Sequence, residues 1–499
     1  MKMTKLLAII LSVVMIAGMI VLPTTASVTS LSGEGTEASP YLIGTADELA
    51  FMRDKVNAGD AAYVSAYYKL TANIDLNDVT NYANWATQAP SNNWTAIGTG
   101  NVFKGNFDGN NKTIQGLYLA YEASSTAVVP AGLFGDATNA TIKNLTLQNT
   151  YISVTASAKS LYLGAIVGRL NGGTIENCSV YGKIIVNGTA ATADGGIGGI
   201  IGRAQTSAVT VTNCANHASI NVSVGGTAMR LAGIVGVSVA PLITITGTYN
   251  TANLIGNVGV TSLGGLAGLI DKFEMGNCYN SGNISAVSSG SLAGVAGIAA
   301  NIRSGKGACT IDNTFQLGTI TVEGNLNSSN VGDYIAGGGV GSVTKTNCDV
   351  LVMQTGAKIR EVYGSFVKGG EKVAEGQGIM FGASFYATPF INAQEGTIKD
   401  YTVGITITYK NAESETVTLN VPAVETLTYN ETTKTIDFTG YLIGIDLANL
   451  GTEFTATAYV KKGETVIYTT TGITRSVTSV AENMGGSLDA NGNYVAASN

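Results

Sequence analysis

The side chains able to do chemistry are few in this 499-residue chain. Its one histidine, His217, lies in a variable position of an internal repeat, where we expect a surface side chain rather than a catalytic base. The five cysteines are Cys178, Cys214, Cys278, Cys309 and Cys348. No C-x-x-C pair occurs among them, so a histidine–cysteine metal site has almost no ligands to use. We therefore expect no metal, no cofactor and no catalytic residue.

Cys178 and Cys214 occupy equivalent positions one repeat apart. Equivalent Cα atoms of stacked strands lie about 4.8 Å apart, which is within the range of a disulfide. The alternative is a ladder of small buried side chains, because Thr248 and Thr314 fill the same position in other repeats. We favour buried free thiols, since buried cysteine behaves as a small hydrophobic residue. Cys309 lies outside this register, and the sequence does not explain it.

Arg169 and Arg203 each follow the last glycine of a repeated element, which places them on neighbouring coils. Such a pair could hold a small anionic group. The alternative, which we favour, is two solvated charges at a corner of the fold, because later repeats have apolar residues here. These are Val237, Leu269 and Ile298.

An internal repeat sets the positions of all these residues. Its first element is a short apolar segment that ends in glycine, and successive closing glycines lie 33, 34, 34, 32 and 29 residues apart. They are Gly135, Gly168, Gly202, Gly236, Gly268 and Gly297, with a degraded copy at 337–341. In a second element, such as Ile175-Glu-Asn-Cys178, asparagine precedes a small residue, and Cys214 and Cys278 share that last position.

The composition of the repeats favours strands over helices. They are rich in Gly, Thr, Val, Ile and Asn, which disfavours a pair of helices in each unit. The chain is 45% hydrophobic and 12% charged, unlike a disordered chain. Short strands need neighbours to bury their inner faces, and stacking gives each strand a copy of itself on both sides. The sequence therefore predicts an all-β fold with a parallel β-helix solenoid over residues 131–352, in which asparagines form amide ladders.

Residues 27–130 are expected to form an α/β cap on the N-terminal end of the solenoid, whose strands would otherwise be unpaired. Thr45 and Glu48 form a capping box that predicts a helix over 49–56. An alternating segment, 67–76, predicts a strand, and 103–117 predicts two strands around a tight turn at 108–109. Trp85 and Trp94 suggest either an aromatic platform for a sugar or large side chains that fill the core end; we favour the second.

The composition changes after residue 352, where the repeat stops. Alternating segments predict antiparallel strands at 401–409, 415–421, 435–438, 454–460 and 465–469. We therefore expect a β-sandwich-like domain over 353–486 and a tail at 487–499.

The repeats resemble the GLUG repeat of bacterial surface proteins and some large secreted peptidases. The pattern is matched well by Leu263-Gly-Gly-Leu-Ala-Gly268 with Gly276-Asn-Cys-Tyr-Asn-Ser-Gly-Asn-Ile284, and the resemblance covers roughly 131–350. In such peptidases catalysis belongs to a separate domain. Segments of the C-terminal region, including Gly356-Ala-Lys-Ile-Arg360 and Gly378-Ile-Met-Phe381, resemble a β domain of clostridial surface proteins.

Residues 1–26 have the pattern of a signal peptide. A basic start precedes an apolar run over 6–22, and a proline and small residues follow. The alternative is an uncleaved anchor, although 17 residues is the lower limit for a membrane span. No second run of spanning length follows. The signal peptide leads us to expect an extracellular or cell-surface protein. The net charge of −7 argues against nucleic acid as a partner.

Three classes of function fit these features. The first, which we favour, is a surface binding or adhesion protein that presents its solenoid to a glycan or protein ligand. The second is a polysaccharide lyase or glycoside hydrolase, which needs clustered carboxylates on neighbouring coils. The repeat does not align Asp194, Asp271, Asp312 or Asp333, so we do not expect an enzyme. The third is a structural spacer that displays another domain.

Overall fold

The computed structural model describes residues 28–497 apart from 124–127, 157–159, 189–194, 225–228, 258, 288–292, 304–305, 325–330, 333, 336–342, 347, 361–365, 369–370, 388–399, 424–428 and 431–434. The predicted signal peptide, 1–26, lies outside the described residues, as does the predicted copy at 337–341. No helix among the described residues is long and apolar enough to cross a membrane.

The larger part of the chain is a parallel β-solenoid of about six turns, which confirms the predicted architecture. Its main sheet contains 24 parallel strands. These are Tyr41–Ile43, Tyr67–Leu70, Ile74–Asp75, Asn106–Gln115, Tyr118–Ala123, Phe134–Ala156, Val167–Gly188, Ile201–Ala204, Val209–Thr212, Ala215–Asn216, Ser219–Val224, Val235–Ser238, Ile243–Thr246, Tyr249–Asn250, Leu254–Gly256, Ala267–Ile270, Phe273–Gly276, Tyr279–Asn280, Ile284–Val287, Ala299–Ile302, Cys309–Asp312, Phe315–Gln316, Ile320–Glu323 and Val343–Thr346.

A second parallel sheet runs along the repeat region of the solenoid. Its seven strands are Val128–Ala131, Ser160–Gly164, Gly195–Gly198, Met229–Ala232, Val260–Gly264, Gly294–Ala296 and Val331–Gly332. Each of the first six leads through a short bend into a strand of the main sheet. The repeated apolar element of the sequence is this bend with the strand ends on either side of it.

The closing glycines form one column, as predicted. The residues on either side of each glycine pair directly with their counterparts on the next coil. This register aligns Gly135, Gly168, Gly202, Gly236 and Gly268. The column is glycine because two backbones meet there: a Cβ atom on Gly202 would lie 2.4 Å from the nitrogen of Leu163, and one on Gly236 would lie 2.4 Å from the nitrogen of Ile197.

The predicted alignment of the sixth copy is wrong by three residues. Ala267 pairs with Ala299, so Ala300 and not Gly297 continues the column of Gly268. Gly264 pairs with Ala296, which places Gly297 next to Gly265. The pattern Gly-apolar-Ala-Gly also fits the preceding strand, which misled the sequence alignment. The residue that pairs with Leu269 on the next coil is therefore Asn301 and not Ile298.

Asparagines form a ladder at one corner of the solenoid, which confirms the predicted amide stacking. Their φ angles are positive, between 42° and 55°, a conformation that asparagine tolerates better than most residues. Side-chain amides bond from coil to coil, with Asn177 donating to Asn144 at 2.9 Å and Asn313 to Asn277 at 2.6 Å. The members are Asn144, Asn177, Asn213, Asn277 and Asn313, and Gly247 takes the fourth place.

The N-terminal region contains helix α1 (Ala46–Asn57) and the short helix α2 (Ala61–Val64). The predicted capping box is confirmed, since Thr45 and Glu48 bond to each other's backbone nitrogens. The predicted tight turn at 108–109 is wrong, because 106–115 is one parallel strand with a corner. The corner is at Asn110 and Asn111, which have positive φ, and the Asp108 carboxylate accepts from the nitrogen of Asn110.

Antiparallel sheets form the C-terminal region, as predicted. One sheet contains Leu351–Arg360, Gln377–Tyr386, Tyr429–Asn430 and Thr435–Ile445. The other contains Tyr401–Lys410, Thr416–Pro422, Phe454–Lys462, Thr465–Thr469 and Ile473–Arg475. Both sheets contribute to one apolar core together with helix α3 (Val477–Asn483). Two small antiparallel pairs, Phe366–Lys368 with Glu371–Ala374 and Gly486–Leu488 with Tyr494–Ala496, and 3-10 turns at Tyr82–Asn84 and Leu447–Asn449 complete the described elements.

Candidate functional site

One candidate site is a cleft of about 700 Å³ between the last coils and the C-terminal domain, here called the junction cleft. The solenoid supplies the segment 316–318 and Tyr334. The connection between the two regions supplies 348–350, and the C-terminal domain supplies 351–353 and 468–473. These segments are distant in sequence, so the cleft exists only because the two regions pack together.

An aromatic row on the solenoid holds the C-terminal domain in place. Tyr249, Tyr279 and Phe315 occupy one column, and the first two rings stack with centroids 4.6 Å apart. Tyr279 and Phe315 are buried within the same apolar cluster as the core of the C-terminal domain. The ring of Phe315 also lies 5.7 Å from that of Tyr386 in that domain. The walls of the junction cleft are therefore fixed by apolar packing.

His217 continues the aromatic row away from the cleft. Its ring stacks on Tyr181 with centroids 4.3 Å apart, and Tyr249 meets its other side edge-on at 5.7 Å. Its Nδ1 atom lies 2.6 Å from the hydroxyl of Thr251. Burial lowers the pKa of His217, so the neutral ring is favoured. The histidine is a half-buried packing residue, less exposed than the sequence suggested.

A second amide ladder is buried inside the coils and ends at the junction cleft. Asn216 donates to Asn250 at 2.7 Å, Asn250 to Asn280 at 2.7 Å, and Asn280 to Gln316 at 2.9 Å. The three asparagines are fully buried, whereas Gln316 lines the cleft. Sequence reasoning missed this ladder, although an asparagine follows two residues after Cys214, Thr248 and Cys278 in three successive second elements.

Polar groups line much of the junction cleft. The side chains of Asp349, Thr469 and Thr471 are exposed, and Tyr468 is half-buried. The Tyr334 hydroxyl donates to the carbonyl of Cys348, which closes the floor. Hydroxyl, amide and carboxylate groups beside a tyrosine ring suit a polyhydroxylated ligand, which needs many donors and acceptors and one apolar surface.

The two arginines lie on neighbouring coils, as predicted, but both are engaged by other side chains. Arg169 and Arg203 are directly paired in the sheet register. Arg169 forms an ion pair with Asp136, whose carboxylate is almost fully buried. Arg203 donates to Gln205 at 2.6 Å and to the Tyr162 hydroxyl at 3.0 Å. The geometry does not favour an anion site, because the Asp136 carboxylate already neutralises Arg169.

All five cysteines are buried and have free thiols. Cys178, Cys214 and Cys278 lie in the predicted column of small side chains. Cys309 belongs to a neighbouring apolar column and pairs with Val343. Burial raises the pKa of Cys214 and raises that of Cys278 to about 12, so neither thiol is reactive at neutral pH. Among the described residues no group of three or more His, Cys, Asp or Glu side chains could hold a metal ion.

Neither tryptophan forms an exposed platform. Trp94 is part of the main core and donates its indole N–H to the carbonyl of Leu133 at 3.2 Å. Trp85 packs instead in a separate cluster, with its ring 5.7 Å from Tyr118 and 6.4 Å from Tyr151. The expectation that both rings are buried holds, but only Trp94 lies in the core.

The carboxylates considered for an enzyme do not converge where they are described. Asp271 is bound by Arg303 through two contacts of 2.5 and 2.7 Å. Asp312 lies in a different column, next to Gly276 and Thr346. Asp194 and Asp333 lie outside the described residues.

Comparison with known proteins gives one structural likeness. No family model and no curated protein matches the chain. Among solved structures, the chain is similar to a Bacteroides ovatus protein described as "a putative immunoglobulin A1 protease". The sequences are 20% identical, the likeness covers 61% of this chain and 86% of the other, and the TM-score is 0.40.

Proposed function

We propose that this chain is an exported cell-surface binding protein, and that the junction cleft holds a glycan ligand. The observation that carries the proposal is the cleft itself, an open cavity of about 700 Å³ with both polar and apolar lining residues, between the solenoid and the C-terminal domain. Ligand sites in proteins commonly fall between about 300 and 1,000 Å³ and favour domain junctions.

The proposal draws on the preorganisation of the cleft. One wall is an end of the buried amide ladder, because Gln316 is fixed by its bond from Asn280. The other wall is held through Tyr279 and Phe315, which anchor the C-terminal domain. A ligand that enters such a site loses little free energy to the ordering of protein side chains.

Binding without catalysis fits the groups in the cleft better than glycoside hydrolysis does. Hydrolysis of glycosidic bonds ordinarily uses two carboxylates about 5 to 10 Å apart. Asp349 is the one carboxylate among the described residues that line the cleft. A single exposed carboxylate can accept hydrogen bonds from sugar hydroxyls but supplies no second acid–base partner.

The resemblance of 131–350 to GLUG repeats and the signal peptide predicted at 1–26 support placement at a bacterial cell surface. On this proposal the solenoid is a stalk, and the aromatic row fixes the binding domain beside its last coils. The spacer alternative assigns no ligand to the cleft, so the two are separated by a binding measurement.

The test is a glycan array probed with the purified chain and two cleft variants, D349A and T469W. Thr469 is exposed in the cleft, so a tryptophan there would fill it. The control T465W places the same ring four residues earlier on the same strand, at an exposed position outside the cleft lining. We expect the parent and T465W to bind the same glycans, and both cleft variants to bind at least about tenfold more weakly.

Two results would overturn this proposal. If the parent binds no glycan, the spacer function is favoured. If the parent binds but T469W binds equally well, the ligand lies elsewhere on the surface.

A further inference from the structure

The core column next to the asparagine corner is apolar on every coil except the last. Successive coils place an apolar side chain at this position, each paired with the next in the sheet register. These side chains are Phe107, Ile142, Ile175, Val211, Ile245, Met275 and Ile311, and all are buried. Lys345 pairs with Ile311 and takes the next place in the column.

Lys345 therefore has an inward position on a terminal strand. In Val343–Thr346 the neighbours Thr344 and Thr346 continue outward columns, with Thr344 next to Thr310. Strand alternation places the lysine on the face that every other coil buries. Its side chain is nevertheless exposed, and its ammonium lies 5.1 Å from the centroid of the Tyr334 ring. The ring holds the charge across the end of the core.

This end of the solenoid is otherwise suited to accept another strand. Val343–Thr346 pairs with Cys309–Asp312 on one side, and no described strand pairs with its other side. The half-buried residues Ile320, Val322 and Val343 lie at the same end. An edge strand with apolar neighbours is a template for pairing with another chain.

The opposite end does not have this property. Helix α1 lies over the first coils and buries Leu49, Met52 and Val56 completely. A head-to-tail filament of this chain is therefore blocked at one end. Pairing through the open end would instead join two identical ends about a twofold axis, which gives a closed dimer.

We propose that Lys345 is a blocking residue that keeps the open end of the solenoid from pairing with a second copy of this chain. A second copy placed on this end would cover the column and remove the ammonium from water. Burial of a charge without a partner is strongly unfavourable, and here two such charges, one from each copy, would face each other. An inward-pointing lysine on an edge strand is one of the ways by which β-proteins prevent such pairing.

The test compares the association of three variants with that of the parent by analytical ultracentrifugation. K345I restores the apolar column, and we expect it to associate into dimers at least about tenfold more tightly than the parent. T344I is the matched control, because it adds the same side chain to the same strand on the outward face. K345E keeps a charge in the column and is expected to remain monomeric, like the parent. Circular dichroism establishes that each variant is folded.

A folded K345I that stays monomeric would overturn the proposal, as would T344I or K345E variants that associate as tightly as K345I. If K345I fails to fold, K345M provides the same test with a side chain closer in shape to lysine. None of these results depends on glycan binding. If the Lys345 variants do not behave as expected, the proposed glycan-binding function is unaffected. If the chain binds no glycan, the proposed role of Lys345 is unaffected.

Discussion

The solenoid and the C-terminal domain are both made of strands, but the identity of a side chain is determined differently in each. In the solenoid, many residues lie between like residues of the neighbouring coils, so the same close approaches and hydrogen bonds recur on several coils. In the C-terminal domain, neighbouring strands run in opposite directions and unlike residues face each other, as Ile405 faces Ala458 and Val421. The solenoid therefore depends on particular residues, whereas the C-terminal domain depends mainly on alternation of apolar and polar side chains.

The largest expected difference concerns glycine. G202V should lower the free energy of unfolding by about 3 kcal/mol or more, because its side chain would meet backbone atoms of two neighbouring strands. The control G451A in the C-terminal domain should change it by no more than about 0.5 kcal/mol, since no atom lies within 4 Å of a Cβ there. Denaturant unfolding measures both. Equal effects would contradict the contrast between the two regions.

The next effect concerns buried amides. N250A should destabilise the chain by about 2 to 3 kcal/mol, because Asn216 loses its acceptor and Asn280 loses a donor inside the core. Asn420 in the C-terminal domain also bonds to a neighbouring side chain, Thr406, but it is exposed to water. We expect N420A to cost less than about 1 kcal/mol in the same measurement. If N250A lowers the free energy of unfolding no more than N420A does, the buried ladder contributes little to stability.

A smaller effect should appear on acidification. The pKa of His217 is lowered in the folded state by burial, so the unfolded chain binds a proton more readily. The contribution of His217 is complete above the ordinary value of about 6.5 and is lost as the pH falls through the lowered folded pKa. Stability measured between pH 7 and pH 5.5 should therefore decline in the parent.

The variant H217F keeps an aromatic ring in the row and cannot titrate. Because His217 is the single histidine of the chain, the decline should disappear in H217F. If the variant shows the same pH dependence as the parent, other groups are responsible for it.

The smallest effect is expected in the column of small residues. Cys214 lies between Cys178 and Thr248, and the Thr248 hydroxyl bonds to a carbonyl of its own strand. A threonine at position 214 can repeat that bond, so C214T should change the unfolding free energy by less than about 1 kcal/mol. C214L should cost about 1 to 3 kcal/mol by overpacking. Thermal unfolding of the two variants tests this. If C214T is as destabilised as C214L, the column requires cysteine and not merely a small side chain.

The sequence was sufficient to predict the parts of the fold in which each unit repeats its neighbour. The glycine column, the corner asparagines and the column of Cys178 follow from like residues at like positions. Where a copy departs from the pattern, the prediction failed: Ala300 replaces glycine in the sixth copy, and Gly297 was aligned in its place. The Asp108–Gly109 pair resembles a hairpin turn, but in a parallel coil the same residues precede a left-handed corner at Asn110.

The junction cleft could not be predicted from the sequence. Its lining combines residues within 316–353 with the segment 468–473, more than 100 residues later, and it depends on how Phe315 and Tyr386 bring two regions together. The buried amide ladder carried a sequence signal, the recurring asparagine. That signal does not say whether the asparagine points into the core or outward. Its direction depends on the geometry of the corner that precedes it.

The central claim, that like residues lie over like along the solenoid, is tested most directly by distances between spin labels. The five native cysteines are buried, so cysteines introduced at exposed or half-exposed threonines can be labelled selectively. Labels in a T210C/T244C pair lie on adjacent coils, about 4.8 Å apart at the backbone, and those in a T210C/T310C pair lie three coils apart, about 14 Å. We predict strong dipolar broadening in the first pair and much weaker broadening in the second. Equal or absent broadening in both pairs would contradict the stacked register.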